Sequence, residues 1–213
     1  MRFVSVKVYK GSVLEAELDD GRKLYIHADV AADHGVCAGM ELDRDKLKEI
    51  VYASNFRRAY QRALYLLDYR DYSAAEMTEK LTGTYKNEAL CKAVVDRLRE
   101  HRLIDDARYA GNLARRLTEG KRYGRRRVLN ELALKGIDSF TAEDALVPYE
   151  AAFGENLAEL LREKYSRQLA DREDRKSAEK VKAALVRRGY SFGEIDRAVR
   201  EYYENAEDNE EEN

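Results

Sequence analysis

The chain has 213 residues, of which 38% are charged and only one is proline, and its formal net charge is −2. Apolar residues make up 44%, which excludes a generally disordered chain, and no apolar run reaches the ~20 residues that span a bilayer. Abundant Leu, Ala, Glu, Lys and Arg with almost no proline predict a mainly helical protein. Because the N-terminus lacks the apolar core of a signal peptide and the two cysteines, Cys37 and Cys91, have no paired spacing, we expect small buried thiols and a cytoplasmic location.

The first fifty residues differ from the rest in periodicity. The segments "FVSVKVY", "SVLEAEL" and "KLYIHA" alternate with period two, and the pair Asp20-Gly21 between the last two is typical of a hairpin turn. We predict two or three short antiparallel strands, followed by a short helix over Asp43–Ser54 that Gly39 precedes.

A helical period begins at about Phe56, which opens one apolar helix face with Tyr60, Leu64 and Leu67. Ser73 with Glu76 three residues later predicts a capping box at the next helix. A third helix is predicted to end near His101, and Asp105 or Asp106 is a natural N-cap for the helix after it.

The same plan returns at intervals of about fifty residues, which predicts an internal repeat of three helices per copy. The corresponding positions are Met77, Val128 and Val181, and Leu81, Leu132 and Leu185. Gly136 and Gly189 fit the left-handed position that ends a helix, and Thr141 with Asp144 and Ser191 with Glu194 predict further caps.

These patterns predict a mainly α fold of three tandem three-helix repeats that form an elongated curved solenoid, preceded by a small N-terminal β-hairpin or sheet. The predicted segments are 1–50 for the strand-rich extension, 51–106, 107–149 and 150–204 for the repeats, and 205–213 for an acidic disordered tail.

Catalytic chemistry finds little support in the sequence. The three histidines are scattered over different units, Asp105-Asp106 is explained by capping, and no glycine-rich phosphate loop has the required spacing. We therefore predict a protein that is not an enzyme and that has no cofactor or metal site.

Positive charge is concentrated in the middle of the chain. Residues 51–136 carry 19 basic and 11 acidic groups, and Arg115–Ile137 alone carries eight basic groups against two acidic ones. The arginines of "GRRRV" are predicted to open a helix, where the macrodipole disfavours cations unless an anion docks on the free backbone N–H groups. Two interpretations stay open, a solvated basic helix face or a surface for a polyanion or a protein that carries one. The candidate partner- or DNA-binding residues are Arg116, Lys121, Arg122, Tyr123, Arg125, Arg126, Arg127 and Lys135.

Four segments resemble the RecX family, regulators of the RecA recombinase: "ALYLLDYRDYSAAEMTEKL", "VVDRLREHRLIDDARYA", "GKRYGRRRVLNELALKGI" and "LVRRGYSFGEIDRAV". The likeness covers residues 51–203, and "YRDYS" departs from it because Asp71 stands where a second basic residue is expected. The resemblance implies a non-enzymatic modulator, commonly an inhibitor, that binds the RecA–DNA filament in its groove and alters its ATPase and strand exchange in DNA repair and recombination.

Two other classes of function remain open from the residues alone. One is a stand-alone DNA-binding protein that uses the basic second repeat, and its DNA affinity would fall with salt. The other is a helical scaffold for a different protein. We expect a monomer, possible direct contact with DNA, and no membrane association.

Overall fold

The computed structural model describes residues 1–211, with side chains described through Asn205. This part of the chain falls into two compact units, the first over Met1–Ile104 and the second beginning at Asp105. Each unit holds two hydrophobic cores.

The first unit begins with a three-stranded antiparallel sheet in the order β1-β2-β3. The strands are β1 (Phe3–Lys10), β2 (Val13–Leu18) and β3 (Lys23–His27). Gly21, at φ +81°, provides the left-handed residue of the turn between β2 and β3. The predicted N-terminal sheet and its hairpin are therefore confirmed.

Two helices follow the sheet, and both differ from the prediction. Helix α1 (Ala28–Asp33) was not foreseen, and helix α2 (Arg44–Leu67) is one continuous element. The prediction of a short helix over Asp43–Ser54, separate from the helix at Phe56, is wrong. No glycine or proline interrupts residues 44–67, and the Ser54 hydroxyl accepts the His27 N–H at 2.9 Å instead of capping a second helix. Asp43 caps α2 by accepting the Lys46 N–H at 2.7 Å.

Helix α2 contributes to both cores of the first unit. Leu47 and Ile50 are buried with the sheet, whereas Ala59 and Ala63 are fully buried in the core of the first repeat. The predicted apolar helix face that begins at Phe56 packs against the core of the first repeat and is only partly buried. The predicted boundary between residues 50 and 51 thus falls inside a helix.

The first repeat is completed by α3 (Ala74–Tyr85) and α4 (Glu88–Glu100). The capping box at α3 is confirmed, since the Glu76 N–H donates to the Ser73 hydroxyl at 3.1 Å and the Glu76 carboxylate accepts the Ser73 N–H. Cys91 is buried as predicted, but Cys37 is exposed.

The second repeat comprises α5 (Asp106–Arg115), α6 (Arg125–Leu134) and α7 (Ser139–Asp144), and a π-helical turn over Arg116–Gly120 follows α5. Asp105 caps α5 as predicted. The predicted cap at Thr141 is wrong, because Asp138 caps α7 and accepts the N–H of Thr141 at 3.0 Å and its hydroxyl at 2.7 Å.

The third repeat comprises α8 (Glu150–Lys164), α9 (Arg175–Arg187) and α10 (Phe192–Glu211). The cap at Ser191 is confirmed, because its N–H donates to the Glu194 carboxylate at 2.7 Å and its hydroxyl accepts the Glu194 N–H at 3.3 Å. The described part of the predicted tail 205–213 continues α10 as helix, and residues 212 and 213 lie outside the described residues.

The middle helices of the three repeats, α3, α6 and α9, are equivalent in their packing. Leu81, Leu132 and Leu185 each have 0% exposure and lie in three separate cores. Gly136 and Gly189, which follow the C-cap residues of α6 and α9, have φ of +71° and +98°, which confirms their role in ending those helices. The three tandem three-helix repeats predicted from the sequence are present.

Candidate functional site

The basic segment lies where the start of α6 meets the end of α9. Gly124 is the N-cap of α6 and offers no side-chain cap. Its N–H donates instead to the Arg188 carbonyl at 2.9 Å, and the Arg126 N–H donates to the Gly189 carbonyl at 3.2 Å. These two N–H groups are therefore not free to bind an anion, because carbonyls at the end of α9 accept them.

Two glycines permit this close approach. A Cβ on Gly124 would lie 2.5 Å from the carbonyl carbon of Gly189, and a Cβ on Gly189 would lie 2.5 Å from the backbone nitrogen of Arg127. Gly124 has an ordinary φ of −72°, so only the approach of the third repeat requires glycine there. Both positions must therefore lack a side chain so that the backbones of the second and third repeats can come into contact.

The loop before α6 is held by the third repeat as well. The Tyr190 hydroxyl donates to the Arg122 carbonyl at 3.1 Å, and Arg188 Nη1 donates to the Lys121 carbonyl at 2.9 Å. Tyr190 is almost fully buried, and burial raises the pKa of its hydroxyl well above the usual value. It therefore remains a neutral hydrogen-bond donor.

Arg122, a predicted site residue, is neutralised by two acids. It forms ion pairs with Glu159 at 3.0 Å and with Glu163 at 2.6 Å, both on α8. The hydrogen bond from Arg122 holds the pKa of Glu163 below its usual value, and the same bond raises the pKa of Arg122. Arg122 thus joins the second repeat to the third.

Arg125 is likewise neutralised by two acids. It pairs with Glu143 through a short contact and with Glu150 at 3.2 Å. The hydrogen bond to Glu143 raises the pKa of the Arg125 guanidinium. Since Glu143 belongs to α7 and Glu150 opens α8, Arg125 also connects the two repeats.

The Tyr123 ring is partly buried against the core of the second repeat. The guanidinium of Arg127 lies 4.1 Å from the ring centroid, and the Lys121 ammonium lies 5.6 Å from it. Arg127 also donates to the Arg187 carbonyl at 3.0 Å and lies 3.7 Å from Glu131. Tyr123 is therefore already engaged in cation–π contacts within the chain.

Arg126 is exposed, and among the described side chains it has no acidic partner. It lines a cleft of about 410 Å³ together with Asn130 of α6 and Arg187, the last residue of α9. Arg187 is likewise exposed and without an acidic partner among the described side chains. This cleft, which we call the α6–α9 cleft, places two exposed arginines without acidic partners among the described side chains beside each other.

The two remaining predicted residues lie apart from this cleft. Arg116 is exposed at the start of the π-helical turn, and Lys135 is the C-cap of α6. The ten residues of α6 separate Lys135 from Arg125 by ~15 Å along the helix. Arg187 and Arg188 were missed in the sequence, although "VRRGY" placed two arginines beside a helix-ending glycine.

Other chemistry is sparse in the part of the chain that the structure describes. No group of three or more His, Cys, Asp or Glu side chains there is arranged to hold a metal ion. None of the helices within these residues is both long and apolar enough to cross a membrane.

The fold and this junction define a class of protein, a helical chain of three tandem three-helix units whose second and third units share a basic joint. Residues 59–98, 105–146 and 155–199 match, in order, the first, second and third three-helix domains of RecX. The chain belongs to the RecX family.

Individual relatives agree with this assignment. The "Regulatory protein RecX" of Geobacillus thermodenitrificans is 32% identical over 181 residues, which cover 84% of this chain and 66% of the relative. That of Bacillus subtilis is 30% identical over 202 residues, which cover 92% of this chain and 74% of the relative. The chain therefore matches about two thirds to three quarters of the length of these curated relatives.

A solved structure supports the fold. The crystal structure of a regulatory protein RecX superposes with a TM-score of 0.70 and 23% sequence identity, over 92% of this chain and 97% of the other. At this identity the likeness concerns the fold alone.

Proposed function

We propose that this chain is a non-enzymatic regulator that binds the filament of RecA recombinase on DNA and inhibits its ATPase and strand exchange. Membership of the RecX family, whose curated relatives are named regulatory proteins, supports a regulatory role. It would act as a monomer in the cytoplasm, during DNA repair and recombination.

The observation that carries the proposal is the open charge of the α6–α9 cleft. Arg122 and Arg125 are paired with acids, whereas Arg126 and Arg187 face solvent without acidic partners among the described side chains. Unpaired arginines at a surface cleft suit a polyanionic assembly, because complementary charge speeds encounter and fixes orientation. Binding should therefore weaken as ionic strength rises.

The test is the single-strand-dependent ATPase of a RecA recombinase, measured with substoichiometric amounts of this protein. We expect the ATPase to fall at ratios well below one protein per recombinase subunit, because a regulator of an assembly acts on many subunits at once. An unchanged ATPase together with tight, salt-sensitive DNA binding would favour a stand-alone DNA-binding protein instead. An unchanged ATPase without DNA binding would favour a scaffold for a different protein.

A further inference from the structure

The α6–α9 cleft is composite, because neither repeat forms it alone. Arg126 and Asn130 come from the second repeat, and Arg187 comes from the third. The hydrogen bond from Arg127 Nη1 to the Arg187 carbonyl, at 3.0 Å, fixes the end of α9 beside α6. The Gly124–Gly189 contact brings the two backbones close enough for both arginines to line one cleft.

The charge of this cleft is available for a ligand. The cleft wall contains one acid, Glu131, which lies 3.7 Å from the Arg127 guanidinium. The positive charge of Arg127 offsets the negative charge of Glu131. The guanidinium of Arg127 also stacks on Tyr123. Arg126 and Arg187 then remain as two exposed planar donors, and the exposed Asn130 amide is a neutral donor in the same cleft.

The surroundings favour phosphate over a protein carboxylate as the ligand. Protein interfaces derive most of their affinity from buried aromatic or apolar anchors, and Val186 is the one large apolar residue of the cleft wall, itself only partly buried. Phosphate binding requires little more than placed positive charge. Because the nearby Tyr123 ring is already covered by Arg127, base stacking is not offered, so contact should be independent of base sequence.

The geometry points to the α6–α9 cleft as a phosphodiester site, in which Arg126 and Arg187 each contact the backbone of the nucleic acid strand that the proposed target filament carries. This inference rests on the proposed function for the identity of that strand. Arg122 and Arg125, which were predicted from the sequence to belong to the same site, join the second and third repeats instead.

The experiment measures binding of the full chain to a fluorescent single-stranded oligonucleotide by anisotropy, without recombinase, over a series of salt concentrations. The variant is Arg126→Gln with Arg187→Gln. Each lost phosphate contact should reduce the slope of log affinity against log salt by about 0.7. The double variant should therefore lose about 1.4 in slope and bind about 25-fold more weakly at 0.1 M salt.

The matched control is Arg197→Gln with Arg200→Gln, which removes the same charge from two exposed positions of α10. It should keep the wild-type slope. Oligonucleotides of different base sequence should bind the wild-type protein alike.

Several outcomes would overturn the inference. These are no oligonucleotide binding by the wild-type protein, the same slope in the cleft variant, or an equal loss in the α10 control. Unchanged oligonucleotide binding with lost filament binding would mean that the cleft meets carboxylates of the recombinase instead. The proposed function fails separately, if the wild-type protein leaves the recombinase ATPase unchanged while the slope difference persists.

Discussion

Helices α3 and α6 occupy equivalent places in the first and second repeats, yet they begin in different ways. Helix α3 carries its own cap, in which Ser73 and Glu76 satisfy each other's backbone N–H groups. Helix α6 follows its N-cap Gly124, starts with three arginines and has no side-chain cap. Carbonyls of the third repeat instead accept the N–H groups of Gly124 and Arg126. Helices in equivalent positions of the repeats can thus be capped by a side chain of their own sequence or by carbonyls of the next repeat.

This difference explains the unusual charge at the start of α6. Cations at a helix N-terminus are disfavoured by the macrodipole, but carbonyls at the end of α9 lie against this terminus and Arg127 donates to one of them. Glu143 and Glu150 supply the remaining countercharge for Arg125. Arg125 and Arg127 therefore stabilise a junction of two helix ends of opposite polarity.

The largest expected effect tests what α3 and α6 share. Leu81→Ala and Leu132→Ala should each lower the free energy of unfolding by about 2–5 kcal/mol, since each removes a fully buried side chain from a separate core. Urea denaturation followed by circular dichroism measures both. Leu134→Ala, at an 81% exposed position of α6, should change stability by less than ~0.5 kcal/mol. A Leu132 variant as stable as the Leu134 variant would contradict the equivalence of the repeats.

The next effect is specific to α6. Gly124→Ala should destabilise the protein by about 1–3 kcal/mol, because the added methyl collides with the Gly189 backbone. Gly111→Ala, inside α5 with nothing within 4 Å of the added atom, should instead stabilise by roughly 0.5–1 kcal/mol through helix propensity. Thermal unfolding of the two variants decides the matter, and a stabilising Gly124→Ala would mean that the close junction does not form.

A smaller effect belongs to α3. Ser73→Ala removes the side chain that accepts the Glu76 N–H, and we expect a loss of about 1 kcal/mol. Hydrogen exchange should show the loss as faster exchange in the first turn of α3 while α6 is unaffected. Ser73→Asp, which keeps an acceptor, should restore most of the protection.

The smallest effect concerns pH. The ion pair with Arg122 lowers the pKa of Glu163 from its ordinary value of 4.5, so its contribution is complete above that value and is lost as the pH falls through the lower value of the folded state. Urea midpoints between about pH 6 and 3 should decline less steeply in Arg122→Gln than in the wild-type protein. Parallel curves would show that this exposed pair does not contribute.

Features set by neighbouring residues were predictable. The capping boxes at Ser73 and Ser191, the helix-ending glycines and the buried leucines of the repeats all follow from residues within a few positions of each other. The break before Phe56 was placed wrongly because the period of the apolar residues changed there, although nothing in the sequence stops the helix.

The composition of the candidate site was less predictable. Its partners are far apart in the chain: Arg188 donates to the Lys121 carbonyl 67 positions away, and Arg122 pairs with Glu163 41 positions away. Counting charge along the sequence found the basic segment, but it did not separate the paired arginines from Arg126. Which charges remain open depends on how the third repeat packs.

Helix α2 also sets the angle between the sheet and the first repeat. Because one unbroken helix joins the sheet to the first repeat, their mutual orientation is fixed by the number of residues between Ile50 and Ala59. Each residue inserted there would turn the sheet by ~100° about the helix axis and move it by ~1.5 Å. The number of residues in this segment therefore determines the direction in which the outer face of the sheet points. A lineage that gained or lost a residue here would present that face in a different direction.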